Sequence, residues 1–335
     1  MLSSPVKPNP FLRNRKLRDA SWRAVYDRMA ADPSVHVFGE GASVKAHYDA
    51  PDIESRFSDR IHTLPISENG NTDFAIGAAL GGVAPIIDVI AADFLYRTMD
   101  AICNTAAKLN FVSGRKHTIV IRAETLIGGP TTGQRPEALF AHIPGLRVVV
   151  PSTPRDAYGL MYTALTEPGV TLYFEDRMVS DEGPFTPADL AAGEPVPFGK
   201  LAGRQTGIRG TASIFTYGVM RQVVERVLSS QKWLEDVYSE PNLRADLYDL
   251  RTLYPLDWAG IEWALNRTGR LLVIEPDITY GGIGAELVAQ VAERFPRVRV
   301  KRLGAPRTTI PASMALHDQV LPSEQQIFEA ITQWS

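Results

Sequence analysis

Apolar residues recur along this chain first at helical and then at strand spacing, and the two patterns alternate. Leu17, Trp22, Val25, Tyr26 and Met29 fall near one helical face, which predicts a helix over Leu17–Ala31. Val35–Gly39 reads as a buried strand closed by Gly39-Glu40-Gly41. Asn71–Leu80 reads as a helix whose small residues Ala75, Gly77, Ala78 and Ala79 permit close packing. Pro85–Ile90 reads as a strand, Met99–Leu109 as a helix and Thr118–Arg122 as a strand. Leu146–Pro151 is a strand that runs into the helix start Ser152-Thr153-Pro154.

The pattern then breaks. Met178–Gly210 holds Pro184, Pro187, Pro195 and Pro197 with six glycines, the composition of a linker rather than a core element. Beyond it the alternation resumes. Ala212–Tyr217, Ala245–Asp249, Leu271–Glu275 and Val298–Leu303 read as strands. Met220–Ser229, Trp258–Asn266 and Gly284–Phe295 read as helices between them. Strands alternating with helices imply parallel sheets covered on both faces. The expectation is an α/β protein of two domains, each a mostly parallel sheet flanked by helices. Residues 1–16 are read as an N-terminal arm, 17–180 as a first domain, 181–210 as a linker and 211–335 as a second domain.

Composition narrows the function classes. The chain has 335 residues, enough for two cores at roughly 100–200 residues per domain. Its net charge of −3 offers no electrostatic footprint for nucleic acid. The single cysteine, Cys103, excludes a disulfide framework and fits a reducing, cytoplasmic setting. The longest uncharged stretch, Phe74–Ile87, is shorter than the ~20 residues of a membrane span. The basic N-terminus (Lys7, Arg13, Arg15, Lys16, Arg18) lacks the apolar run of an export signal and reads as a solvated arm.

Common catalytic signatures fail. Gly193–Leu201 imitates a phosphate loop but is one residue too long and ends in Leu201. Gly282-Ile283-Gly284 opens a helix after a strand, yet Leu287 stands where a dinucleotide fingerprint needs its third glycine. The six histidines have no metal-ligand spacing, so no metal is expected on this chain. What remains is unusual local chemistry. Thr63-Leu64-Pro65-Ile66-Ser67-Glu68-Asn69-Gly70 sets Glu68 at the mouth of an apolar segment, where a partly desolvated carboxyl can share a proton. Ala92-Asp93-Phe94-Leu95-Tyr96 ends a strand with aromatics, where open α/β sheets bind ligands.

These segments resemble the β subunit of the thiamine-diphosphate-dependent 2-oxo-acid dehydrogenase E1 component, of pyruvate, branched-chain and acetoin type. The resemblance runs from about Leu17 to Ile331. Its carriers are Pro65-Ile66-Ser67-Glu68, Ala92-Asp93-Phe94, Asn104–Lys108, Arg135–Leu146, Val149–Pro154, Asp249–Leu253 with Pro255-Leu256-Asp257, and Gly281–Glu286. It implies a transketolase-like pyrimidine-binding domain plus a transketolase C-terminal domain. It also implies thiamine diphosphate shared with an α-type chain, whose Gly-Asp-Gly motif holds the diphosphate and Mg²⁺. This sequence contains no Gly-Asp-Gly. By the same resemblance Glu68 is the acid that bonds the ring N1′ of the aminopyrimidine, favouring the imino tautomer that activates the cofactor. Phe94 matches the aromatic on the pyrimidine face, with Ile66 beside it. Glu40, His47, Thr132, Gln134 and His142 are candidates for substrate-facing or supporting roles.

One departure stands out. After Gly-Pro the family carries x-His-Ser-Gln; here Gly129-Pro130 leads to Thr131-Thr132-Gly133-Gln134. Thr132 thus replaces a histidine linked to acyl transfer onto a lipoyl arm, and a hydroxyl does not carry a proton near neutral pH as imidazole does. Either a loop residue (Lys45, His47 or His62) substitutes, or the acceptor is not a lipoyl arm. The family's structural K⁺ is expected to be absent or weak, because Glu167-Pro168-Gly169 lacks the usual Asp and Asn character. The expected function is a β-type subunit of an α2β2 enzyme that decarboxylates a 2-oxo acid and passes the acyl unit to an acceptor. Coupling to a lipoyl acyltransferase stays open. The alternatives are a carboligase or decarboxylase subunit without lipoyl transfer, and a non-catalytic β-like subunit that only binds a partner.

Overall fold

The computed structural model describes residues 15–40, 51–181, 183, 187–191, 193–205, 211–230, 233 and 245–333. Two sheets organise them. The first holds β1 (Val35–Glu40), β2 (Ile61–Leu64), β3 (Ala84–Ala91), β4 (Thr118–Thr125), β5 (Leu146–Val149) and β6 (Gly169–Asp176). The second holds β7 (Ala202–Arg204), β8 (Ala212–Thr216), β9 (Ala245–Asp249), β11 (Arg270–Ile278) and β12 (Arg299–Ala305). A further strand, β10 (Thr252–Tyr254), follows β9 in the chain but pairs antiparallel with β5, so it closes one edge of the first sheet. The orders are β10-β5-β6-β4-β3-β1-β2 and β12-β11-β8-β9-β7. All pairs are parallel except those made by β10 and by β7, which lies antiparallel on β9.

Strand side chains alternate between two apolar layers, as a period of two demands. Ile119 and Ile121 face one cluster and Val120 the other. Each cluster draws on both sheets. One joins Trp22, Val37 and Val120 to Ile214 and Leu272; the other joins Ile87 and Ile121 to Tyr217 and Val273. The two units therefore share continuous packing.

Most expected elements are present, with three differences. The helix expected from Asn71 begins at Glu68, because Ser67 leaves helical geometry and Asn71 Nδ2 donates to the Pro65 carbonyl at 2.9 Å. The helix expected over Met99–Leu109 is broken: a wide-turned stretch Ala101–Thr105 passes into a tight turn Ala106–Lys108 and then helix Leu109–Ser113. Gly145 packs closely on the end of this stretch: an added Cβ there would sit 2.0 Å from the Ala107 carbonyl oxygen. The expected linker 181–210 is not wholly outside the core, since β7 forms an edge strand and Val196 is buried.

A buried charge cluster lies under the middle strands. Arg122 of β4 donates to Asp88 of β3 (2.9 Å), to Glu124 (2.5 Å) and to Glu175 of β6. Its guanidinium lies 5.1 Å from the centroid of the Trp22 ring, and Arg177 pairs with Glu124 at 3.1 Å. Removing one partner from such a cluster leaves buried charge uncompensated. Arg122→Met is expected to destabilise the chain by about 3–5 kcal/mol. Urea unfolding measures this, and a loss under about 1 kcal/mol would show that the cluster is not a principal stabiliser.

On the β1–β2 edge, His36 Nδ1 and His62 Nε2 lie 2.9 Å apart with stacked rings, and the His62 ring also stacks on Phe38. Burial holds both imidazoles below their ordinary pKa of 6.5; His62 and Arg60 press His36 further down, while Asp59 and the Pro33 backbone oppose. The unfolded chain then binds more protons than the folded one as pH falls below about 6.5, so stability drops on acidification. Melting temperature between pH 7.5 and 5.5 should fall more steeply for the native chain than for the double variant His36→Gln, His62→Gln. Equal slopes would rule the pair out as the source.

Candidate active site

Strand order reverses at β1, which has β2 on one side and β3 on the other. Such a switch point opens a crevice beyond the carboxyl ends of the strands. Three chain segments arrive there. β1 ends at Glu40, 7% exposed. β2 leads through Pro65-Ile66-Ser67 into the Glu68–Leu80 helix, so Glu68 sits in a first helical turn, which favours an anion. β3 leads into the tight turn Ala92–Thr98.

Glu68 and Glu40 form an interacting carboxyl pair. The Glu68 side chain is 11% exposed. Burial pushes the Glu40 carboxyl up, the neighbouring Glu68 pushes it further, and a hydrogen bond from the Ser67 backbone opposes both. A neighbouring carboxylate in a desolvated site makes the Glu40 carboxyl hold its proton more readily. Arg97 Nε lies 3.5 Å from Glu68 Oε2, but its side chain is largely in solvent, so this pair contributes little.

The Ala92–Thr98 turn distributes its side chains by its pitch. In a 3₁₀ geometry positions i and i+3 eclipse. Phe94 and Arg97 therefore share one row, towards Glu68, and Asp93 and Tyr96 share another, towards Gly133 and Gln134. Ile90, just before the turn, has φ 68°, and the β3–β4 register shifts between Asp88 and Ala91. A β-branched residue at positive φ is strained, and such strain collects where a strand end must be re-aimed. Phe94 is half-buried against the core, whereas Ile66 is 82% exposed.

The departing segment has its own shape. Thr132 Oγ1 accepts from the Gly129 N–H at 3.0 Å, which closes a turn. Asp93 accepts from the Gly133 N–H (3.2 Å) and the Gln134 N–H (3.0 Å). Arg135, next in sequence, makes a two-pronged pair with Asp176 at 3.0 and 3.2 Å, and Asp176 also accepts from the Val219 N–H at 2.8 Å. The loop is thereby tied to the second unit. Buried carboxyls gather nearby: burial lifts Glu137 to about 8, Glu275 to about 7 and Asp277 to about 6.

The candidates thus separate. Glu68, Glu40, Phe94 and Ile66 lie at or beside the crevice, with Thr132 and Gln134 joined to it through Asp93. His142 does not join them. It lines a cavity of about 520 Å³ with Tyr254, Trp258 and Glu286, which holds none of the other candidates. His62 is engaged with His36. His47 and Lys45 lie outside the described residues. Sequence reasoning overlooked Asp93, Arg97 and Ile310; an acid inside Ala92-Asp93-Phe94, at a strand end, was the available signal for the first.

In segment 167–169 the Arg147 guanidinium donates to the Glu167 and Pro168 carbonyls. Among the described residues no group of three acidic, His or Cys side chains could hold a metal, and no helix is long and apolar enough to cross a membrane.

Comparison with known proteins places this arrangement. Residues 13–180 match the family described as "Transketolase, pyrimidine binding domain", and residues 209–327 match "Transketolase, C-terminal domain". The chain is 32% identical over 338 residues to the acetoin:2,6-dichlorophenolindophenol oxidoreductase subunit beta of Cupriavidus necator, covering 95% of this chain and 96% of that one. It is 29% identical to the pyruvate dehydrogenase E1 component subunit beta of Rickettsia bellii, covering 94% and 97%. It is 28% identical to the mitochondrial 2-oxoisovalerate dehydrogenase subunit beta 2 of Arabidopsis thaliana, covering 99% and 92%. A solved structure titled "Split gene transketolase, inactive beta4 tetramer" shares the fold with a TM-score of 0.76 at 19% identity, covering 95% of this chain and 97% of that one. With both transketolase domains matched in order and β subunits similar along nearly its whole length, the chain belongs to the transketolase-like family of 2-oxo-acid dehydrogenase E1 β subunits.

Proposed function

We propose that this chain is the β-type half of a heteromeric thiamine-diphosphate enzyme that decarboxylates a 2-oxo acid and hands the acyl unit to an acceptor. The observation that carries this reading is Glu68, nearly enclosed at the switch point, coupled to Glu40 and flanked by apolar groups. These residues fit an aminopyrimidine. Glu68 would hold the ring nitrogen N1′, Phe94 would cover one face of the ring, and Ile66 would supply an apolar edge. Glu40, its carboxyl held up by burial and by Glu68, acts as a proton reserve behind it. When bound, thiamine diphosphate supplies the carbon nucleophile that attacks the oxo-acid carbonyl and takes up the electrons that carbon dioxide leaves behind.

The other half of the site comes from a partner. We assign the diphosphate and Mg²⁺ to an α-type chain carrying Gly-Asp-Gly, in an α2β2 assembly. The exposed Ile66 and Phe74, one before and one within the Glu68–Leu80 helix, favour burial against such a chain. Glu68→Gln in the reconstituted pair should lower kcat by about 10²–10³-fold while leaving the melting temperature nearly unchanged. Unaltered turnover would sink the assignment. The same preparation tests the non-catalytic reading, since a pair that binds no thiamine diphosphate by calorimetry would favour it.

A second reading concerns the acceptor. Thr132 spends its hydroxyl on Gly129, so it offers no proton shuttle, which favours an acceptor other than a lipoyl arm. A carbonyl compound or a redox dye needs no such shuttle. The reconstituted enzyme should reduce 2,6-dichlorophenolindophenol or form a carboligation product, with little acylation of an isolated lipoyl domain. Rapid acylation of that domain would contradict this.

A further inference from the structure

The turn that replaces the family's His-Ser pair is held from two directions by residues distant in sequence. From below, the Asp93 carboxylate accepts two consecutive backbone N–H groups, Gly133 at 3.2 Å and Gln134 at 3.0 Å. Asp93 is 7% exposed, so these bonds are shielded from water. From above, Ile310 of the second unit fills the side-chain space of residue 133. A Cβ built on Gly133 would sit 2.7 Å from Ile310 Cγ2, and Gly133 has φ +106°. Both facts demand glycine there. The change from Ser to Gly is thus structurally coupled to Ile310 and Asp93.

The turn is also placed to matter. Asp93 immediately precedes Phe94, so the same short turn that sets the aromatic face holds Gly133 and Gln134. Gln134 and Ile310 then line a cavity of about 200 Å³ with Tyr96, Asp277 and Thr308. Asp93 thus joins the turn that carries Phe94 to the backbone of Gly133 and Gln134, at the edge of that cavity.

We propose that Asp93 and Ile310 are positioning residues: they fix the Gly129–Gln134 turn, and the fixed turn guides the acceptor. This rests on the thiamine-enzyme reading for its kinetic part and on geometry alone for its structural part. An asparagine at 93 offers one acceptor oxygen and turns an N–H₂ towards the second backbone N–H, so one bond is lost and a repulsion is added. Ile310→Ala frees the space above Gly133.

The test uses the chain reconstituted with its α-type partner, as native, Asp93→Asn and Ile310→Ala. Hydrogen exchange reads the Gly133 and Gln134 amides. Steady-state kinetics reads pyruvate or 3-methyl-2-oxobutanoate as donor and 2,6-dichlorophenolindophenol as acceptor. With pyruvate and water the products are acetate, carbon dioxide and the dye reduced by two electrons and two protons. Asp93→Asn should speed exchange at both amides by about tenfold. It should raise the acceptor KM several-fold, with donor KM and thiamine diphosphate affinity within twofold of native. Ile310→Ala should move the same two quantities in the same direction. Unchanged exchange would overturn the positioning. Faster exchange with an unchanged acceptor KM would overturn the guidance of the acceptor. If the native pair neither binds thiamine diphosphate nor turns over, the functional reading fails instead, and the exchange measurement still decides whether Asp93 and Ile310 hold the turn.

Discussion

The crevice stands on a charge balance buried beneath it. Arg122, wholly enclosed, bonds carboxylates from β3, β4 and β6 at once, and Trp22 of the first helix covers it. Three carboxylates cannot lie under the middle of a sheet without such a cation, because each would cost several kcal/mol to strip of water. The arrangement locks three adjacent strands in register and presses the first helix onto them. β3 and β4 then deliver Ile90–Tyr96 and the Thr125–Gln134 segment to the crevice at fixed heights. Burial of charge here secures geometry, not merely stability.

The second constraint is that the two sheets are laced together. Residues 245–249 build the second sheet, and three residues later the chain builds an edge of the first. Arg251, at φ 41° between them, donates to Asp156 at the start of one helix and to the carbonyls of Lys200 and Leu201. Asp176 joins Arg135 to the Val219 N–H in the same way. The Gly129–Gln134 loop is therefore set by the second unit as much as by the first. Ile310 over Gly133 is the clearest instance, since a residue from the far end of the chain dictates the backbone at 133.

Much of the architecture was legible in the sequence. Alternating apolar runs marked eight of the strands' neighbourhoods and the long helices, because a buried parallel strand must be apolar and a covering helix must carry one apolar face. Resemblance to a known family marked Glu68 and Phe94, since an acid at a helix start and an aromatic at a strand end are by themselves ordinary structural features. The broken helix at 101–108 was not legible, because its apolar spacing reads as one continuous helix and the close approach of Gly145 comes from another segment. Neither was β10, whose three residues look like the end of β9.

By itself, then, the sequence determined the two-unit α/β plan, the family and the acid at the crevice. The plan depends on residue type and on spacing within single elements, and the family and the acid on a resemblance carried by several motifs in order. The tertiary structure alone decided which candidates meet. It coupled Glu40 to Glu68, drew His142 away to another cavity, engaged His62 with His36, and revealed Asp93 and Ile310 as the grip on the departing turn. Those pairings link residues 26 to 177 positions apart, as in His36–His62 and Gly133–Ile310. No local pattern encodes such separations, because strand pairing within the first sheet brings Glu40 to Glu68 and His36 to His62, and packing of the second unit brings Ile310 to Gly133.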